Sequence, residues 1–172
     1  MNVQTNYEVA GRTDWKTPPE LFALLDAEFS FTIDAAADDA DHLCPRYLTR
    51  EEDALTKPWL GDNVVFCNPP FADLKPWTQM FVRWATAGAT VVALLPSKTD
   101  TVWFENVWFG AHEVRFLTPR VQFIAPTTGQ PGKNSNNSGS MVAVYRHGVR
   151  FHYSDKDVVF VDPPRCIHWR WK

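Results

Sequence analysis

No G-x-G triplet occurs anywhere in the 172 residues, so a glycine-rich cofactor loop cannot be argued from this chain. No apolar run approaches the roughly 20 residues that a membrane helix needs. Residues 1–6 lack the basic-then-apolar pattern of a secretion signal. A cytoplasmic protein without a membrane partner is therefore expected. Cysteine is scarce, and Cys44, Cys67 and Cys166 are spaced neither as a disulfide framework nor as a metal knuckle. That usage suits a reducing compartment. His42 beside Cys44 has no second pair of ligands, so no metal site is expected. Net positive charge is missing too: 17 Lys and Arg against 20 Asp and Glu leave −3. Any nucleic-acid contact must then come from a local patch, not from the whole surface.

Apolar and aromatic residues are plentiful. Hydrophobic residues make up 45% of the chain, with eight Trp and twelve Phe, enough for a sizeable core. Most of these rings belong to that core, although some could serve as platforms for bases. Length and the absence of repeats or long linkers predict one domain over 1–172.

The chain is organised around Val64-Val65-Phe66-Cys67-Asn68-Pro69-Pro70-Phe71. Its β-branched and aromatic start predicts a buried strand. Two prolines then end pairing, because neither can donate a ladder hydrogen bond. At its bluntest this is a proline-rich strand exit with an asparagine turn. Chemically it also clusters acceptors, the Asn68 side-chain oxygen and the Pro69 carbonyl, beside the flat ring of Phe71. A planar group bearing an amino substituent, such as adenine, matches that arrangement.

Asn68-Pro69-Pro70-Phe71 resembles the catalytic motif of amino-directed DNA methyltransferases. The resemblance extends through Asp14-Trp15-x-Thr17-Pro18, Phe31-x-x-Asp34-Ala35-Ala36, Asp53-x-Leu55 and Leu94-Leu95-Pro96, in an order similar to the phage-type Dam-like N6-adenine methyltransferases. It runs from about Asp14 to Tyr145. It implies an abbreviated Rossmann-like, S-adenosylmethionine-dependent methyltransferase sheet, mostly parallel with a C-terminal antiparallel hairpin. It further implies methyl transfer from S-adenosyl-L-methionine to N6 of a flipped-out adenine in double-stranded DNA, with GATC as a possible site. Asn68, Pro69, Pro70 and Phe71 would be catalytic. Trp15, Thr17, Asp34, Ala35, Ala36, Asp53 and Asn68 would hold the cofactor. Asp34-Ala35-Ala36-Ala37 departs from the commoner glycine-rich pattern. Cytosine-N4 methylation, glutamine methylation and a non-catalytic nucleic-acid-binding module that keeps the fold are the alternatives.

Local signals fill in the rest. Thr17, Pro18 and Glu20 have capping-box spacing, predicting a helix over 20–28. Residues 29–34 alternate apolar and polar, as a first strand ending at Asp34 would. Thr49 with Glu52 predicts a short helical turn. Helices are expected after Phe71 up to Gly88 and over 101–109, with a buried parallel strand at 90–95 between them. Short strands are expected at 113–118 and 120–125, with a return strand at 140–145. Between them 126–140 is rich in Gly, Pro, Asn and Ser and is expected to be a mobile loop. The segment 146–172 reads as accessory, with a strand-like 158–161 and a basic, aromatic tail. Candidate DNA contacts are Lys98 in the loop after a strand, Arg115 and Arg120 flanking a turn, and Lys133, Asn136 and Asn137 in the long loop.

Overall fold

The structure is a computed structural model and describes residues 15–57, 63–125, 128–132, 138–147 and 163–172. Among these, three helices and a six-stranded sheet form a mixed α/β fold. In chain order they are α1 (Pro19–Phe29), β1 (Ile33–Asp34), β2 (Val64–Cys67), α2 (Lys75–Thr86), β3 (Thr90–Pro96), α3 (Val102–Gly110), β4 (Glu113–Thr118), β5 (Ser140–Tyr145) and β6 (Arg165–Arg170). The sheet order is β1-β2-β3-β5-β4-β6. β1, β2 and β3 are mutually parallel, β5 is antiparallel to both β3 and β4, and β6 runs parallel to β4. Only β5 therefore runs against the others.

The apolar run of β3 explains the layering. Strand side chains alternate between faces. Val91, Ala93 and Leu95 pack on one face with Phe81 and Trp84 of α2 and Phe104 and Val107 of α3. Val92 and Leu94 pack on the other with Leu21 and Leu25 of α1. Both faces are covered, so an uninterrupted hydrophobic strand is required rather than an alternating one. Among the described residues the second face carries one helix, with Val121, Phe123 and Trp171 packed beside it.

Several local expectations need correction. Thr17 does not cap α1: Pro18 occupies that position without a side-chain cap bond, and its carbonyl accepts from Leu21 and Phe22. Helix α1 also runs through Phe29 and is closed by Ser30 in the left-handed region (φ 56°). The first strand consequently shrinks to Ile33–Asp34, although Thr32 still bonds to Val64 through backbone and hydroxyl. Residues 120–125 form no strand. They are tied instead by isolated bridges from Ile124 to Lys16 and Pro131. The return strand 140–145 does pair with β4 as a hairpin. Within the segment expected to be accessory, residues 165–170 form β6, an edge strand of the main sheet. The expected strand at 158–161 lies outside the described residues.

Candidate active site

The chain leaves β2 at Cys67 and turns through Asn68-Pro69-Pro70 at the carboxyl end of the parallel strands. Open α/β sheets bind ligands beyond those ends. A cavity of about 660 Å³ opens there, within the roughly 300–1,000 Å³ of small-molecule sites. Trp15, Thr17, Asp34, Ala35, Ala36, Asp53 and Asn68 all line it, together with Pro70. The seven residues expected to hold the cofactor thus converge on one space, although they span more than fifty positions of sequence.

Asn68 is fixed by its amide nitrogen, which donates to the Trp15 carbonyl at 3.0 Å. A carbonyl can only accept, so the NH2 end of Asn68 must face Trp15. The side-chain oxygen is then the end left to accept from a ligand. Pro69 is buried beside it. Phe71 is half-buried and meets Phe123 perpendicularly, with ring centroids 5.8 Å apart.

Asp34 sits at the carboxyl end of β1 and is 3% exposed. Its carboxylate accepts from the backbone N–H groups of Ala36 (3.3 Å) and Leu43 (3.2 Å). Burial nevertheless dominates and pushes its pKa up to about 6, with Asp41 adding to the rise and His42 opposing it. Burial disfavours the charged form unless a cation arrives. Small neighbours, Ala35 and Ala36, leave room for one. Asp53 is exposed at the cavity wall in the left-handed region (φ 48°), where its side chain accepts from Leu55 N–H and opens the 3-10 turn Ala54–Thr56. The expected capping pair survives in part, since the Thr49 N–H donates to Glu52.

Residues without a clear sequence signal also line the cavity. Lys16 pairs with Asp41 at 3.3 Å, joining the segment before α1 to the loop after β1. Asp38, Arg50, Glu51 and Asp73 contribute further charge, and Trp77 an aromatic wall. Lys16 was findable as the neighbour of Trp15 and Thr17, whereas Asp41 had no local signal. Six carboxylates against two cations make the cavity acidic. His42 stacks on Tyr47 (4.1 Å, 6°) and its Nδ1 meets the Cys44 carbonyl at 3.0 Å. Among the described residues no group of three or more metal-binding side chains occurs. No helix among them is long and apolar enough to cross a membrane.

The DNA-contact candidates separate. Lys98 and Arg120 are exposed beyond the ends of β3 and β4. Arg115 is not an exposed cation: it is 6% exposed and bound to Glu28 of α1 and Glu113. Its guanidinium also lies 5.3 Å from the rings of Phe29 and Trp169. Its charge is used internally to fasten α1 to β4 and β6. Lys133, Asn136 and Asn137 lie outside the described residues.

Comparison with known proteins identifies a family. The family described as DNA N-6-adenine-methyltransferase (Dam) matches residues 4–164. A protein of Escherichia phage T1 named DNA N-6-adenine-methyltransferase is 25% identical over 158 residues, covering 83% of this chain and 66% of the relative. One of the same name from Haemophilus phage HP1 is 26% identical over 149 residues, covering 84% and 85%. The chain thus spans just under two thirds of the T1 relative. With the family match running across nearly the whole sequence, the chain belongs to the Dam family of adenine-specific DNA N-6-methyltransferases.

Proposed function

We propose that this protein transfers a methyl group from S-adenosyl-L-methionine to N6 of an adenine flipped out of double-stranded DNA, in the cytoplasm of a bacterial host cell, on an abbreviated Rossmann-like sheet. The observation that carries this is the convergence of Asp34, Asp53 and Asn68 on one acidic cavity at the carboxyl strand ends. The residues fit the cofactor. A buried carboxylate held by two backbone N–H groups suits an α-ammonium group. The surplus of carboxylates suits a ligand that also carries a positive sulfur. When bound, S-adenosylmethionine supplies an electrophilic methyl group on that sulfur.

The chain's own contribution is positioning and electrostatics. Asp34 binds the ammonium. Asp53 accepts from the amino group of the cofactor's adenine, while Trp15 and Thr17 wall the methionine portion. Adenine N6 is a weak nucleophile because its lone pair is delocalised into the ring. The Asn68 side-chain oxygen and the Pro69 carbonyl accept its two hydrogens and draw that lone pair back onto nitrogen. Phe71 stacks on the extruded base and returns roughly 1–3 kcal/mol of the unstacking cost. Lys98 and Arg120, both exposed on this edge, face the phosphates.

Incubation with unmethylated duplex DNA and labelled cofactor, followed by nucleoside analysis, tests the proposal. N6-methyldeoxyadenosine is expected, and duplexes with and without GATC report site preference. N4-methyldeoxycytidine would replace the substrate assignment. A protein that binds cofactor yet leaves DNA unlabelled would overturn the catalytic one.

A further inference from the structure

The carboxyl edge of the sheet carries more than the cavity. β1, β2, β3, β4 and β6 all run the same way, so each delivers its last residues to the edge where Asn68 lies. The register fixes their heights. Cys67 is level with Ala93, Ala143, Val114 and Cys166, whereas Arg170 pairs with Thr118 four residues further along β6. At ~3.3 Å per residue, Arg170 stands about 10 Å beyond the level of Asn68. Four strand spacings of ~4.8 Å place β6 roughly 19 Å to the side of β2. The edge therefore steps up from the Asn68 turn to a shelf made by the ends of β4 and β6.

That shelf is firmly held. Trp171 is 6% exposed and packs into the core on the α1 face. Its backbone N–H donates to the Thr118 carbonyl at 3.0 Å and its indole N–H to the Pro119 carbonyl at 2.7 Å. On either side of this anchor Arg170 and Lys172 are exposed, and the Lys172 ammonium lies 4.7 Å from the Trp171 ring. Residues 163–172 contain no Asp or Glu. The charge distribution along this edge is therefore divided: an acidic cavity that repels phosphate, and an anchored pair of cations that attracts it.

We propose that the end of β6, with Arg170 and Lys172 set on the Trp171 anchor, is a phosphate clamp for duplex DNA. It rests on the methyl-transfer reading above and adds a surface to it. With both offsets the clamp lies roughly 21 Å from the Asn68 turn, so it grips the backbone about six base pairs from the target base, given ~3.4 Å of rise per nucleotide of a strand. Exposed point charges meet phosphates, fixing register without reading sequence.

The test is the double variant Arg170→Ala/Lys172→Ala in the full chain, with Trp171 left in place. DNA affinity is measured across a salt series, alongside steady-state methylation and calorimetric cofactor binding. The log–log salt dependence is expected to flatten by about two units, close to one for each phosphate that is no longer neutralised. KM for DNA should rise, with kcat at saturating DNA, cofactor affinity and site preference unchanged. The charge-retaining variant Arg170→Lys/Lys172→Arg should restore the slope. If wild-type protein methylates DNA and the double variant keeps its slope and KM, the clamp is wrong while the methyl-transfer reading stands. If site preference relaxes instead, the contact is to bases and the phosphate assignment fails. A wild-type protein that labels no DNA removes the parent reading before the clamp is reached.

Discussion

Replacing Asp34 by asparagine removes a charge that the ligand-free fold tolerates poorly. Its carboxyl is pushed from the ordinary 3.8 to about 6, chiefly by burial. That difference corresponds to about 3 kcal/mol between the two protonation states. The folded protein holds this proton more tightly than the unfolded chain. The associated stability is therefore fully present below about pH 4 and is lost as pH rises through about 6. A ligand ammonium reverses the preference, because it needs the carboxylate. Cofactor affinity should then be highest near pH 7, where the carboxylate is ionised and the ligand ammonium still protonated, and should fall by up to tenfold per pH unit below about 6, where binding releases a proton. Calorimetry in two buffers of different ionisation enthalpy counts that proton directly. Asp34→Asn should weaken binding by roughly 1.5–3 kcal/mol, the worth of a charge-assisted hydrogen bond, or about 10- to 150-fold. It should also abolish the pH dependence and make the ligand-free protein more stable near neutral pH. Affinity that stays flat from pH 5 to 8 in the wild type, or wild-type affinity in the variant, would refute the assignment of Asp34 to the ammonium.

Asn68→Ala should lower methyl transfer at least 100-fold, the scale seen for losing one preorganised polar group at a reacting centre, while cofactor binding measured by calorimetry largely survives. Asp53→Ala should weaken cofactor binding by about 1 kcal/mol, since the group is exposed, and should loosen the turn it caps at Leu55. Asp53→Asn keeps that cap acceptor and tolerates the left-handed backbone, so a binding loss in Asp53→Asn isolates the charge. Arg115→Ala should cost about 2–4 kcal/mol in denaturant unfolding, somewhat less than a fully buried ion pair because Glu28 reaches solvent. The salt slope of DNA binding should not change in that variant, and a flattened slope would return Arg115 to the DNA surface.

Much of this protein is determined by short-range pattern. The strand and turn through Asn68-Pro69-Pro70, the two-sided burial of 90–95 and the hairpin return at 140–145 follow from the sequence. Apolar runs must be buried, and proline cannot continue a ladder. Asp34 and Asn68 in the cavity wall were legible for the same reason, since they stand at strand ends, whereas Asp41 in the same wall was not. Tertiary structure alone decided what depends on distant partners. Arg115 has the look of a surface cation, but Glu28, 87 residues away, and Trp169 take it into the interior. Thr17 has cap spacing, yet Pro18 takes the N-terminal capping position of α1 and Thr17 is drawn into the cavity wall. The basic C-terminal residues show no sign of their place until β4 offers them an edge and Trp171 finds the Thr118–Pro119 turn. Each outcome depends on contacts between segments far apart in the chain, and a local propensity carries no information about which remote partner will complete a charge, an edge or a cavity.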